Sequence, residues 1–407
     1  MSHDALVQPL RKWLVEQALG NPDITELFGV MAERLVGLGI PVTRGRLIWQ
    51  TLHPLFRAEQ VTWNRGGTAT IEGFAHRDND TDAWKHSPMR HVILNGLSIF
   101  RRQLTGDNAL LDFEMLKELK EQGYTDYVVL ATSLNQVQFA TADGMKSPGG
   151  VIMTWSTDRT NGFSSDDLAC LQSLQPIFAL ACKSMILSRI SGNIATTYLG
   201  QRAGSNVLNG SIRRGDGHHM SAVIWYSDLR NSTMFSESLA SDAYFSLLNS
   251  FFEATAGPLV THGGEVLDFI GDAVLGIFPY ETESDLRDAA ARANAALDDT
   301  LSSAREVNAE RGKSGLEKFQ FGVGLNVGDV KFGNIGIPQR LSFSVIGQAV
   351  NEAARIESLT KLLQQPVLAG KRIAQFDESR WRSVGAHKLD GVLDPVELFA
   401  FRTEQAA

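Results

Sequence analysis

Along residues 4–38 the apolar positions recur at helical spacing, with Leu6, Leu10, Trp13, Leu14 and Gln17 on one face. Asn21-Pro22 followed by Asp23 predicts a stop and the start of a second helix. From Gly45 to Ala75 the period falls to two, giving short strands with a turn at Arg65-Gly-Gly67. Further strands are predicted at Arg90-His-Val-Ile-Leu94, Asp126-Tyr-Val-Val-Leu-Ala131 and Gly149-Gly-Val-Ile-Met-Thr-Trp155. A helix then opens at the N-cap cluster Ser164-Ser-Asp-Asp167 and is carried by Leu168, Leu171, Leu174, Ile177, Phe178 and Ala181. Antiparallel strands closed by helices predict a first domain over 1–188.

The segment 189–218 is rich in Gly, Ser, Asn and Arg but carries apolar residues too, and is expected as an ordered connector. Beyond it the pattern predicts a strand ending on Asp228, a helix from Leu239 to Ala254, and a hairpin from Glu265 to Phe278 turning at Gly271-Asp272. A long helix over 283–310 follows, then strands Phe319 to Val327, Gly328 to Phe332 and Leu341 to Ile346, and a helix from Gln348 to Thr360. Strands divided between hairpins and helical crossovers predict an α+β domain over 219–407, a ferredoxin-like α/β sandwich.

Composition agrees with this two-domain reading and narrows the partners. At 407 residues, with 43% hydrophobic and 21% charged positions, the chain has material for two globular cores. A net charge of −8 without a long basic run argues against a nucleic-acid or anionic-membrane partner. The opening Met1-Ser-His-Asp-Ala has no basic, apolar leader, and the apolar run Ile177 to Ile190 is broken by Lys183 and Arg189, so no bilayer span is expected. Cys170 and Cys182 fall on one predicted helix. They would stand about 18 Å apart at 1.5 Å per residue, too far to bridge, which fits a reducing, cytoplasmic setting.

The chemistry gathers in Met220–Ile356. Asp228 and Asp272 each stand where an apolar strand runs out, a position from which carboxylates hold a hard cation; the alternative is a pair of turn or capping aspartates. Asn351 and Arg355 are one helical turn apart and share a face. In the first domain His53, His76, His86 and His91 match no metal-ligand spacing, which favours polar or capping roles over haem or metal ligation.

Six motifs together resemble the class III nucleotidyl cyclases: Asp228-Leu-Arg-Asn-Ser-Thr; Gly263-Gly264 with Phe269-Ile-Gly-Asp272; Gly322-Val-Gly324 with Gly328; Gly333-Asn334; Arg340 through Ser344-Val-Ile-Gly347; and Val350-Asn351-Glu-Ala-Ala-Arg355. The first domain resembles, in architecture, the GAF-type sensors of small molecules. The cyclase resemblance implies a phosphorus-oxygen lyase in which the ribose 3′-OH attacks the α-phosphate and pyrophosphate leaves. Two Mg²⁺ or Mn²⁺ ions per site would be bound by Asp228, Asp272 and the Leu229 carbonyl. Asn351 would orient the ribose, and Arg355 would stabilise charge growing on the α-phosphate.

The resemblance places the purine-reading positions on Asp268 and Ser344, where adenylate cyclases carry lysine and aspartate. An ionised Asp268 accepts, which suits the N1-H and N2-H₂ donors of guanine; the bacterial type of the chain favours ATP. ATP to cyclic AMP is therefore the first expectation and GTP to cyclic GMP the second. Asp390 stands where the family has its triphosphate lysine, so Lys388, two residues earlier and on the same side of a strand, is the expected substitute, with Arg340 a second candidate for phosphate contact or for the dimer interface. The family shares each active site between two chains, which implies a twofold homodimer. Two rivals remain: a catalytically inactive cyclase-like signalling module, and a palm-type polymerase, which would need a basic template groove that the composition does not offer.

Overall fold

The computed structural model describes residues 3–20, 22–76, 81–140 and 146–402, so Met1, Ser2 and Asn21 lie outside the described residues. The chain forms two compact units, Met1–Ile194 and Ala195–Ala407.

The first unit runs α1 (His3–Leu19), α2 (Ile24–Gly37), β1 (Arg44–Gln50), β2 (Phe56–Asn64), β3 (Thr70–Ala75), α3 (Asp82–Lys85), α4 (Pro88–Leu94), β4 (Ile99–Gln103), α5 (Glu114–Glu121), β5 (Asp126–Ala140), β6 (Lys146–Thr157) and α6 (Ser165–Leu199). Its six strands pair antiparallel in the order β3-β2-β1-β6-β5-β4. Asp23 caps α2 by accepting from the Thr25 and Glu26 N–H groups. One sheet face, with Leu47, Trp49, Trp63, Met153 and Trp155, packs against Leu10 and Leu14 of α1, Phe28 of α2 and Phe178 of α6. On the other face Phe100, Tyr127 and Val129 meet Val92 of α4 and Leu116 of α5.

Two expectations change here. Arg90–Leu94, predicted as a strand, is most of α4: Ser87 accepts from the Arg90 N–H and Pro88 occupies the first turn, and this helix start outweighs a short apolar run. The helix expected to end near Ser188 continues to Leu199, so part of the expected connector is helical and the division between units falls within α6. By length and composition alone α6 is long and apolar enough to cross a membrane, and 56% of its most apolar window is buried. Cys170 and Cys182 are both free and buried on it.

Each histidine singled out in this unit is engaged locally. His53 Nδ1 accepts from the Leu55 N–H and His76 Nε2 lies 2.8 Å from the His53 carbonyl. His86 Nδ1 lies 3.0 Å from the Asp82 carbonyl, and His91 Nδ1 is 3.3 Å from Asn95 Nδ2.

The second unit runs α7 (Gln201–Leu208), β7 (Gly217–Leu229), α8 (Ser232–Ser238), α9 (Ser241–Thr261), β8 (Glu265–Ile270), β9 (Ala273–Tyr280), α10 (Glu283–Lys313), β10 (Phe321–Ile337), β11 (Arg340–Ile346), α11 (Gln348–Leu362), β12 (Val367–Gly370), α12 (Lys371–Ala374), β13 (Trp381–His387) and β14 (Val396–Phe401). This is an α+β unit whose sheet order is β13-β14-β12-β10-β7-β9-β8, with β11 paired to β10. The two strands expected across 319–332 are one, β10, which runs on into the hairpin with β11. Central β7 is covered on both faces: Val223 and Trp225 pack with α10, while Ala222 and Ile224 pack with Ala349 and Ala353 of α11.

Glycines let α11 lie close on β10. A Cβ on Gly324 would collide with the Ala353 carbonyl and the Glu357 N–H, and one on Gly328 with Ala349 Cβ. The Gly-x-Gly motif is thus a seat for the helix that carries Asn351 and Arg355.

Candidate active site

Asp228 closes the buried run of β7 and stands opposite Ala273 of β9 and Gly322 of β10. Asp272 is the turn residue of the β8–β9 hairpin, a tight turn made possible by Gly271 at φ 66°. The Leu229 N–H donates to the Asp272 carbonyl at 3.2 Å, which locks strand end to turn. The two carboxylates lie within hydrogen-bonding reach of each other.

Electrostatics at this point are unfavourable as they stand. Burial first, then the charges of Asp272 and Glu357, push the Asp228 carboxyl up to about 7, with Arg230 opposing. Asp228 Oδ1 is buried and meets no donor. An undonated buried carboxylate oxygen beside a second carboxylate fits a hard divalent cation, which prefers such oxygens and completes its shell with water. Among the described residues no group of three or more His, Cys, Asp or Glu side chains could hold a metal, so a cation here would rest on two carboxylates, a main-chain carbonyl and water.

Arg230 does not neutralise the pair, because it is held elsewhere. Its guanidinium lies 3.6 Å from Glu357 Oε1 and donates to the Thr360 hydroxyl, which in turn donates to the Glu357 carbonyl. Glu357 is only 3% exposed, and its carboxyl is raised, chiefly by burial. A Cβ on Gly322 would occupy the space where these three side chains meet. The sequence reading missed Arg230, Glu357 and Thr360; the available signal was that Glu357 and Thr360 share the apolar stripe of α11 with Ala353 and Ile356.

Asn351 and Arg355 point the other way. Ala349, Ala353, Ile356, Glu357 and Thr360 form the buried face of α11, and Asn351 and Arg355 lie on the opposite side. Neither side chain forms a hydrogen bond or ion pair with a described residue. The Arg355 guanidinium rests beside Gly391, 3.4 Å from where a Cβ would stand.

Asp268 is exposed on β8, just past an irregularity in its register with β9 that falls between Val266 and Asp268. Ser344 is partly exposed on β11 opposite Gly333, and β11 approaches β8. Arg340 is exposed at the β10–β11 hairpin end. Lys388 is exposed too, but β13 stops at His387, so the same-side-of-a-strand argument for it fails: it enters a turn in which the Val392 N–H donates to the Leu389 carbonyl. The structure therefore joins Asp228 with Asp272, and Arg355 with the 389–392 turn, and keeps these groups on different sides of α11.

Residues 217–371 match the family described as the adenylate and guanylate cyclase catalytic domain, and the second unit carries a class III catalytic domain of that family. An adenylate cyclase of Anabaena cylindrica is 33% identical over 139 residues, covering 34% of this chain and 27% of that protein. Adenylate cyclase 1 of Rhizobium meliloti is 26% identical over 201 residues, covering 46% of this chain and 30% of that protein. The chain thus spans less than a third of the length of either relative. A solved bacterial light-regulated adenylyl cyclase aligns with a TM-score of 0.45 at 23% identity, covering 56% of this chain and 65% of that one.

Proposed function

We propose that the protein is a homodimeric, cytoplasmic purine nucleotidyl cyclase, with ATP the first substrate and cyclic AMP the product. The observation that carries this reading is the Asp228–Asp272 pair, with its buried oxygen that no donor meets. Two Mg²⁺ or Mn²⁺ ions held by these carboxylates and the Leu229 carbonyl would supply charge neutralisation for the ribose hydroxyl and the triphosphate. The 3′-oxygen attacks the α-phosphorus, its proton is lost, and the bond to the pyrophosphate oxygen breaks. Asn351 orients the ribose. Arg355 stabilises the charge developing on the α-phosphate, a task for a guanidinium that is ionised at every working pH. Lys388 and Arg340 are the cationic side chains proposed for the triphosphate.

Sharing of sites between chains is supported by α11, whose Asn351 and Arg355 face away from the Asp pair of their own chain. A twofold dimer brings each set to the other's partner set. The first unit is proposed as a GAF-like sensor of a small molecule, on the strength of its antiparallel sheet flanked by helices on both faces.

GTP is the second reading, and exposed Asp268 favours it: an ionised carboxylate accepts from guanine N1-H and N2-H₂ and repels adenine N1. The test is to incubate the purified chain with Mn²⁺ and each nucleoside triphosphate in turn and to separate the products. Cyclic AMP is expected. Cyclic GMP alone would transfer the assignment to GTP, and no cyclic product from a proven dimer would leave an inactive signalling module.

A further inference from the structure

On the face of the second unit's sheet that α10 covers, a cavity of about 310 Å³ lies between that helix and the segment following α12. One wall is a stripe of α10 at helical spacing: Arg287, Ala291, Asn294, Ala295 and Asp298. The other wall is Phe376, Asp377 and Arg380. The two alanines are too short to fill the space in front of them. The cavity is on the opposite face of the sheet from α11 and shares no residue with the candidate active site. Its second wall also falls outside residues 217–371, the part of the chain that matches the cyclase family.

Charge is balanced at one end of the cavity only. Arg380 Nη1 lies 2.6 Å from Asp298 Oδ2 and donates to the Asn294 carbonyl at 3.4 Å, while its Nε lies 3.6 Å from Asp377 Oδ2. Both carboxylates of the lining are therefore met. At the other end the Arg287 guanidinium lies 5.6 Å from the Phe376 ring centroid and forms no hydrogen bond or ion pair with a described residue. Asn294 stands between the ends and is only 4% exposed. Its carboxamide makes no hydrogen bond with a described residue, and its Oδ1 is buried without a donor. A side chain that deep is ordinarily paired.

We infer that this cavity binds a small planar carboxylate that carries a hydroxyl at its far end, a ligand of the hydroxybenzoate class. The carboxylate meets Arg287, whose planar fork suits two oxygens. Arg287 and Asn294 are seven residues apart, about 10 Å along the helix, so a second polar group is needed to reach the amide. A hydroxyl serves there because it both donates and accepts. The body of the ligand lies over Ala291 and Ala295 against the Phe376 ring. One unpaired guanidinium matches one negative charge, whereas a phosphate dianion would bring a further charge toward Asp298 and Asp377 with no cation left to meet it. The volume stands at the small end of ligand pockets, which suits a single ring. None of these residues serves the reaction proposed above, so the inference stands without it.

Ligand-observed NMR titration of the full-length chain tests it, with 4-hydroxybenzoate as the probe. Benzoate, which lacks the hydroxyl, and 4-hydroxybenzyl alcohol, which lacks the charge, should each bind about tenfold more weakly. Arg287 is exposed, so Arg287→Ala should leave circular dichroism unchanged while weakening 4-hydroxybenzoate about tenfold and erasing its advantage over the alcohol. Asn294→Leu should erase its advantage over benzoate. Arg305→Ala, which removes an exposed cation elsewhere on α10, should change nothing.

No saturable binding up to about 10 mM, in a chain that forms a cyclic nucleotide, would overturn the site and leave the cyclase reading intact. Binding that is indifferent to Arg287→Ala and Asn294→Leu would overturn it as well, by placing the probe elsewhere. The crossed loss of preference in a chain with no cyclase activity would support the site and sink the enzyme.

Discussion

Two sets of side chains in the second unit carry the proposed reaction, and their surroundings are opposites. Asp228 and Asp272 face each other at adjoining strand ends, partly buried, with one oxygen that meets no donor and a carboxyl raised to about 7. Asn351 and Arg355 stand on the outer side of α11, and neither forms a hydrogen bond or ion pair with a described residue. An unpaired amide or guanidinium in water costs little, whereas an unpaired buried carboxylate is expensive. The first set is complete except for positive charge, and the second awaits a surface. This difference points to a cation for the aspartates and a twin chain for the helix.

Loss of either aspartate should be the most damaging change. Asp272→Asn should lower turnover by on the order of 100-fold or more while the fold persists, because an amide binds a divalent cation far more weakly. Near-normal rates in a variant with an unchanged circular dichroism spectrum would remove the metal role. Sharing of each site between two chains is tested by mixing Asp272→Asn with Arg355→Ala. Random pairing gives half heterodimers, each with one undamaged site, so about a quarter of normal activity should return from two inactive proteins. A mixture that stays inactive although heterodimers are isolated would place all four residues in one chain's site. At the base, Asp268→Lys should move the ratio of ATP to GTP turnover toward ATP by roughly tenfold, the size of one donor–acceptor exchange. A ratio that does not move would mean Asp268 reads no base.

How much of this was legible without coordinates follows the same division. The strand ends at Asp228 and Asp272 and the turn between β8 and β9 could be read, because period-two patterning and a Gly-Asp turn are local signals. The pairing of Asn351 with Arg355 followed from helical spacing alone. Tertiary partners could not be read. Arg230 lies 127 positions before Glu357 in sequence, and only the contact of α11 with β7 and β10 brings them together. The placing of Lys388 on a strand failed for a related reason, since the end of β13 at His387 is set by pairing with β14 and not by any residue type at the boundary. The α4 error arose from weighing Val92-Ile-Leu94 above the cap formed by Ser87 and Pro88.

The link between the two regions offers a smaller and separable effect. Arg230 is the cation paired with buried Glu357 among the described residues, so Arg230→Leu should lower stability by on the order of 3 kcal/mol, most of it the penalty of an uncompensated buried carboxylate. Adding Glu357→Leu should recover much of that loss, since two apolar groups leave no charge behind. Chemical denaturation of the two variants checks this; a double variant as weak as the single one would mean that packing, and not charge, is what Arg230 supplies.

The smallest effect is also the most direct reading of the aspartate pair, because it concerns stability and not turnover. With its carboxyl raised to about 7 from an ordinary 3.8, Asp228 keeps a proton in the folded chain that the unfolded chain has already released. Its contribution to stability is therefore favourable at low pH, declines as pH rises between these two values, and levels off above about 7. A divalent cation reverses that decline, since it binds the ionised pair and must displace the proton to do so. Without metal, melting temperature should fall from about pH 5 to about pH 8, and Mg²⁺ or Mn²⁺ should raise it more at the higher pH. In Asp228→Asn both the slope assigned to this carboxyl and the pH-dependent part of the metal effect should disappear. A metal-induced rise equal at both pH values, or one retained in the Asn variant, would mean that the cation binds elsewhere and that Asp228 carries its strained charge for another reason.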